Sequence, residues 1–180
     1  MSELPEGWTM AALGELVTEV RNGISAKPSS EDGLPILRIS AVRPLKLDAT
    51  DVRYLPPDFA AAKTYELAPD DLLFTRYNGN RDLVGACARV GQIGHALVYP
   101  DKLIRVRLNR KAALPRYIEI AANSQAARAY LDQKLKTSAG QIGVSGADIK
   151  AMPLPLPPLP EQQRIADQLD TLLARIKQCH

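Results

Sequence analysis

Residues 153–160 constrain this chain more than any other stretch, because five of the eight (Pro153, Pro155, Pro157, Pro158 and Pro160) are proline. Such a segment lacks most of its backbone donors, so it is expected to leave sheet and helix alike and to run as an extended polyproline II spacer. Directly after it, Ile165, Leu169, Leu172 and Ile176 recur at helical spacing, with Arg164, Asp167, Asp170 and Arg175 off that stripe. This is the pattern of an amphipathic helix with a coiled-coil-like seam. Pro160 suits the first helical turn and Glu161 the positive end of the helix dipole, which marks where the helix begins. A stiff spacer followed by a helix with an adhesive face is therefore expected at the end of the chain.

Upstream, the pattern is that of short strands punctuated by glycine and turn residues. Trp8 to Val20 reads as a structured entry segment, Leu34 to Val42 as a strand, and Asp70-Asp71-Leu72-Leu73-Phe74-Thr75-Arg76 as a strand leading into turn chemistry at Tyr77-Asn78-Gly79-Asn80. Leu83 to Val90, Ala96 to Tyr99 and Leu103 to Leu108 read as further strands. From Pro115 the composition changes to helix formers, predicting helices over Pro115–Ala122 and over Ser124 to about Lys136, with Asn123-Ser124 ending one and capping the next. The fold class expected is α+β. A β-rich domain with flanking helices over about 1–152 would be followed by a proline linker at 153–160 and a helix at 161–180.

With 180 residues, 46% apolar and 24% charged, the chain has the composition of one globular domain. A net charge of +3 fits a nucleic-acid partner and fits many proteins without one. The basic residues concentrate from Lys102 to Arg116, where a strand with a solvated face is an equally good reading. Cys87 and Cys179 suggest neither a disulfide framework nor a metal site, which fits a reducing cytoplasm, and no segment approaches the ~20 apolar residues of a membrane span.

Catalytic signatures are not found. Methyl transfer to DNA needs a glycine-rich cofactor loop and a compact polar-proline motif, and neither is present. A metal-dependent nuclease could be assembled on paper from Asp70, Asp132 and Lys134, but Asp132 and Lys134 fall two apart on a predicted helix and would diverge. His95 and His180 supply no triad; His95, beside Gly94, reads as a turn histidine or a phosphate contact.

What the sequence does offer is loops rich in groups that suit base edges and phosphates. Arg and Lys match guanine, Asn and Gln match adenine, and surplus cations take backbone charge. The densest group is Thr75, Arg76, Tyr77, Asn78, Asn80 and Arg81, although Asn78-Gly79 could equally be a plain hairpin turn with Arg76 in a surface ion pair. A second loop holds Asn22, Ser25, Lys27, Ser29 and Ser30, and a third holds Arg38, Arg43 and Lys46. The glycine-rich turn TSAGQIGVS, with Lys134, Lys136, Thr137, Ser138, Gln141 and Ser145 in or beside it, suits phosphate contact or structural support.

Three motifs together resemble the specificity subunit of a type I DNA restriction-modification system: Leu4-Pro5-Glu6-Gly7-Trp8, the Asp70–Asn80 stretch, and LPLPPLPEQQRI at Leu154–Ile165 at the junction of a target-recognition domain with a spacer helix. In that family a subunit carries two recognition domains and two spacer helices, so this chain resembles half of one. The resemblance implies a non-catalytic DNA reader that pairs through Ile165, Leu169, Leu172 and Ile176 as a homodimer and needs no cofactor of its own. Its implied partners are duplex DNA, a modification subunit using S-adenosylmethionine, and an ATP- and magnesium-dependent restriction subunit. A small nuclease and a protein-protein adaptor are the competing readings.

Overall fold

Alternation with a period of two builds the centre of the molecule. In the computed structural model, which describes residues 4–28, 31–138 and 140–178, the chain opens with β1 (Thr9–Ala12), a 3-10 turn and β2 (Val17–Asn22). It continues through β3 (Leu34–Leu37), the short hairpin of β4 (Val42–Arg43) and β5 (Lys46–Leu47), and β6 (Val52–Leu55). The one-turn α1 (Ala62–Tyr65) precedes β7 (Leu72–Thr75), β8 (Tyr77–Asn78), β9 (Cys87–Arg89) and β10 (Leu103–Leu108). Then come α2 (Pro115–Ala122), α3 (Gln125–Lys134), the hairpin β11 (Lys136–Ser138) and β12 (Gln141–Gly143), α4 (Gly146–Lys150), β13 (Pro153–Leu156) and α5 (Leu159–Gln178). The class is α+β, as the sequence pattern predicts.

A four-stranded antiparallel sheet, in the order β2-β10-β7-β9, forms the core. It is covered on both faces, which is why β7 reads as an unbroken apolar run instead of an alternating one. Leu72, Phe74, Cys87, Ile104 and Val106 face the helices, where Tyr117, Ile118 and Leu131 close over them. Leu73, Ala88 and Leu103 face the opposite way, onto Leu37, Val42, Leu97 and Tyr99. The predicted helices form where expected, with Pro115 in the first turn of α2 and the Ser124 hydroxyl accepting from Ala127 N at 3.2 Å to cap α3.

Three strands differ from expectation. Leu34–Val42 breaks after Leu37 into a 3-10 turn at Ile39–Ala41. The strand expected over Leu83–Val90 is confined to Cys87–Arg89, because Gly85 takes a left-handed φ of 79° where any Cβ would stand 2.4 Å from Leu131. Ala96–Tyr99 forms no strand of its own; Val98 makes a single parallel bridge to Ile36.

The proline segment is a larger correction. Instead of a spacer, residues 153–156 form β13, paired antiparallel with β1 in the register Thr9↔Leu156 through Ala12↔Pro153. The Met152 carbonyl accepts from Leu13 N at 2.9 Å, so the even-numbered residues turn toward β1. Pro153 and Pro155 turn away, where no ladder donor is required, and there the Tyr117 hydroxyl donates to the Pro155 carbonyl at 2.7 Å. Leu154 is fully buried. The first half of α5 is likewise built into the domain. Gln162 is 1% exposed; its amide oxygen accepts from Leu114 N at 2.8 Å, and its amide nitrogen donates to the carbonyls of Pro157 at 2.9 Å and Ala112 at 3.3 Å. Ala166 is buried, Ile165 packs on the helical core, and Asp170 pairs with Arg116.

The basic run also resolves differently from either sequence reading. Arg105 is 2% exposed and stacks over the Tyr99 ring at 5.4 Å. It donates to Glu19 at 3.0 Å and to the carbonyls of Glu66 and Thr64. Arg107 pairs with Asp71 at 2.8 Å, Arg110 with Asp70 at 2.6 Å, and Arg116 with Glu119 at 2.6 Å. Most of this charge is paired with carboxylates of the same chain, Arg105 in the interior and Arg107 and Arg110 at the surface, so the run is neither an open phosphate patch nor a plain solvated strand face.

Candidate nucleic-acid interface

Lys102, in the turn just before β10, escapes that pairing. It sits on the wall of a cleft of about 610 Å³ built from six separate pieces of chain. The segment at Ala26 and Pro28 forms one side; the 37–43 turn and β6 contribute Arg38, Ser40, Arg43 and Arg53; β8 contributes Tyr77 and Asn78; and β12 contributes Gln141. The floor is apolar, from Ile36, Ile39 and Pro100. The arrangement follows from strand pairing: after β7 the chain leaves the central sheet, and β8 pairs with β12 in the register Ile142↔Asn78 and Gly143↔Tyr77, which brings Gln141 to the cleft.

Tyr77 is the hinge of the site. A Cβ on Gly143 would lie 2.2 Å from the Tyr77 ring, so the glycine is what lets the ring lie flat against β12. The guanidinium of Arg76 lies 4.7 Å and the ammonium of Lys102 5.1 Å from the centroid of that ring, close enough for cation–π attraction. Lys102 Nζ donates to Gln141 Oε1 at 2.7 Å, joining the two walls. Arg76 donates to the Asp101 carbonyl at 3.4 Å and so braces the turn that presents Lys102.

Several residues singled out in the sequence gather here: Tyr77, Asn78, Arg38, Arg43 and Gln141 all line the cleft. Arg38 remains half exposed beside Asp51 at 3.6 Å, and Arg43 donates to the Val42 carbonyl at 2.8 Å. Lys27 is exposed between Ala26 and Pro28 of the cleft wall, and Ser25 is exposed before them. Others do not join. Thr75 is fully buried in β7, so it cannot reach a ligand from outside. Asn80 caps the 3-10 turn at Arg81–Leu83, its side-chain oxygen accepting from Asp82 N at 2.9 Å. Arg81 pairs with Asp132 at 3.6 Å, and Asn22 lies in β2 opposite Ile104. Ser145 caps α4 by accepting from Asp148 N at 3.1 Å, a structural role in place of phosphate contact.

Lys134 lies over Tyr130 at 5.6 Å, and Lys136 and Thr137 are exposed on β11, near the cleft hairpin but not lining the cleft. Lys46 is exposed on β5. Ser138 lies in β11, whereas Ser29, Ser30, Cys179 and His180 lie outside the described residues. Sequence reading missed Arg53, Ser40 and Asp101, whose contribution depends on how the hairpins fold together. Lys102 was visible only as one member of a basic run.

The imagined nuclease centre does not assemble. Asp70 is held by Arg89 at 2.8 Å and Arg110 at 2.6 Å, whereas Asp132 is held by a different pair, Arg128 and Arg81. Among the described residues no group of three or more His, Cys, Asp or Glu could hold a metal ion. His95 is exposed on a loop near Lys63 and Arg107.

A second surface lies on α5. Beyond Asp170 the helix leaves the domain, with Leu172 48% and Ile176 57% exposed, while Leu169, just before Asp170, is half-buried. Ile165 instead packs on its own domain, so the stripe read from sequence divides into an anchoring residue and an outlying part.

The family model described as type I restriction modification DNA specificity domain matches residues 5–179. The chain is 46% identical over 161 residues to the EcoKI type I restriction enzyme specificity subunit of Escherichia coli K12, an alignment covering 88% of this chain and 34% of that one. It is 31% identical over 169 residues to the StySPI specificity subunit of Salmonella potsdam, covering 93% of this chain and 36% of the relative. The chain thus spans about a third of the length of these curated relatives. In fold it is similar to the crystal structure of the HsdS subunit from Thermoanaerobacter tengcongensis, with a TM-score of 0.72 and 20% identity over 99% of this chain and 45% of that one.

Proposed function

Because this chain belongs to the type I restriction modification DNA specificity family, we propose that it reads a short half-site of duplex DNA through the Tyr77–Lys102–Gln141 cleft and joins a second copy through the end of α5. The observation that carries this reading is the cleft itself, in which donors from five separate chain segments converge although most other arginines are consumed by internal ion pairs. Arg38, Arg43 and Arg53 on the rim suit phosphates, and Asn78, Lys102 and Gln141 suit base edges. Support for the DNA partner also comes from the relatives, which are named as specificity subunits of type I restriction enzymes.

On this reading the chain supplies recognition and no bond-making chemistry, and it carries no cofactor. Methyl transfer from S-adenosylmethionine belongs to a modification subunit, and ATP- and magnesium-dependent cleavage to a restriction subunit. The complex works in the cytoplasm; among the described residues no helix is long and apolar enough to cross a membrane.

The test is equilibrium binding to duplex DNA over a range of salt, with and without the modification subunit. Arg53→Ala is expected to weaken all sequences alike and to reduce the slope of log K against log salt by about 0.9, the value of one phosphate contact. Asn78→Ala is expected to leave that slope unchanged and to flatten sequence preference by about 1–3 kcal/mol at one position. Absence of DNA binding even with the modification subunit present would favour a protein-protein adaptor, and metal-dependent cleavage by the chain alone would favour a nuclease.

A further inference from the structure

We propose that the cleft reads one G·C base pair from the major groove, with Lys102 and Gln141 donating to guanine and Asp101 accepting from cytosine; this rests on the DNA-reading function proposed above. The argument begins with the contact between Lys102 Nζ and Gln141 Oε1 at 2.7 Å. An ammonium can only donate, so the amide oxygen of Gln141 must be the atom that faces it, and the amide NH2 is turned outward. A glutamine with both groups available matches adenine, accepting from N6 and donating to N7. With its oxygen drawn toward the ammonium, Gln141 offers its NH2 group in preference to its oxygen and suits the acceptors O6 and N7 of guanine. Lys102 keeps two further N–H groups for the same edge, and its position is set by the Tyr77 ring at 5.1 Å.

Asp101 supplies the other half of the pair. It lines the same cleft, and its backbone is held on both sides, its N–H donating to the Ile24 carbonyl at 2.9 Å and its carbonyl accepting from Arg76 at 3.4 Å. Acidic residues elsewhere on this sheet, Glu19, Asp70 and Asp71, are bound to arginines. Among the described residues the Asp101 side chain has no ion pair. A carboxylate here repels phosphate but accepts well from the N4 amino group of cytosine. Two donors beside an acceptor complement the acceptor, acceptor and donor order that a G·C pair displays. An A·T pair places its N6 donor against the donors of this set and its thymine methyl toward the carboxylate, so it is rejected.

The experiment is selection from a random duplex pool by the full chain together with its modification subunit, followed by binding to single-site variants of the selected duplex. The parent protein is expected to require one G·C pair, preferring it over A·T by roughly tenfold or more. Lys102→Met releases the Gln141 oxygen and should move that position toward A·T, while Asp101→Ala and Gln141→Ala should relax it, all other positions keeping their preference. Replacing the guanine with 7-deazaguanine should weaken the parent and leave Gln141→Ala less affected. If the pool yields a defined site in which these three variants keep the parental preference at every position, the assignment is overturned while DNA reading stands. If the pool yields no sequence at all, both are overturned.

Discussion

Arg105→Ala is expected to cost about 3–5 kcal/mol of folding stability, the scale on which removal of one partner from a buried ion pair acts. The guanidinium lies inside the protein, bound to Glu19, to the carbonyls of Glu66 and Thr64, and against the Tyr99 ring. Its removal takes the guanidinium from the Thr64 carbonyl, leaves the Glu66 carbonyl to Arg107, and leaves Asp71, whose side chain is 4% exposed, with Arg107 as its one ion-pair partner among the described residues. Urea unfolding followed by circular dichroism checks it: the midpoint should fall with little change in slope, and a loss below about 1 kcal/mol would mean that this network does not hold the sheet to the α1 region. The same network responds to acid. Burial raises the Glu19 carboxyl, but hydrogen bonds from Arg21 and Arg105 outweigh it and hold its pKa below the ordinary value of 4.5. The stability it contributes is complete above about that pH and is lost as pH falls through the lower folded value, and Arg105→Ala should flatten this dependence.

Replacing both Leu169 and Leu172 with Asp should convert a dimer into monomers. Four leucines enter the proposed interface, two from each copy, and burying each contributes roughly 1.5–3 kcal/mol. Their loss therefore weakens association by several orders of magnitude. Leu172 lies past the part of α5 anchored by Gln162, Ala166 and the Arg116–Asp170 pair, and Leu169 at its edge is half-buried, so the domain itself should keep its fold with at most a modest drop in melting temperature. Sedimentation decides the matter: an unchanged dimer in the double variant rejects this interface, and a monomeric parent at micromolar concentration rejects self-association through α5.

The sequence pattern foretold the central strands and the paired helices because their causes are local: the short apolar run Leu72–Phe74, alternation in Ile104–Val106, a proline in the first turn of α2, and a serine cap before α3. Two features were illegible for a physical reason. The prolines at 153 and 155 break strands only where their missing donors are needed, and whether β13 has a neighbour on that side is a tertiary fact. The arginines of β10 point to DNA only if no carboxylate meets them, and Glu19 and Asp71, which do, lie more than thirty residues away. The candidate site was half visible. Tyr77, Asn78 and Gln141 stood out by type, but only the pairing of β8 with β12 brings them to Arg53 and Lys102.

The most direct measurement is the shape of the DNA site that the chain and its modification subunit select together. Two copies joined through α5 as proposed would present the same cleft twice about a two-fold axis, so the site should be an interrupted palindrome. The helix has 20 residues and at ~1.5 Å each spans ~30 Å, close to the ~34 Å of one turn of B-DNA. Half-site centres should therefore lie about one turn apart on one face of the duplex, and inserting about half a turn between them should abolish tight binding. Two unrelated half-sites, or equal affinity whatever the spacing, would contradict a symmetric reader that uses α5 as its ruler.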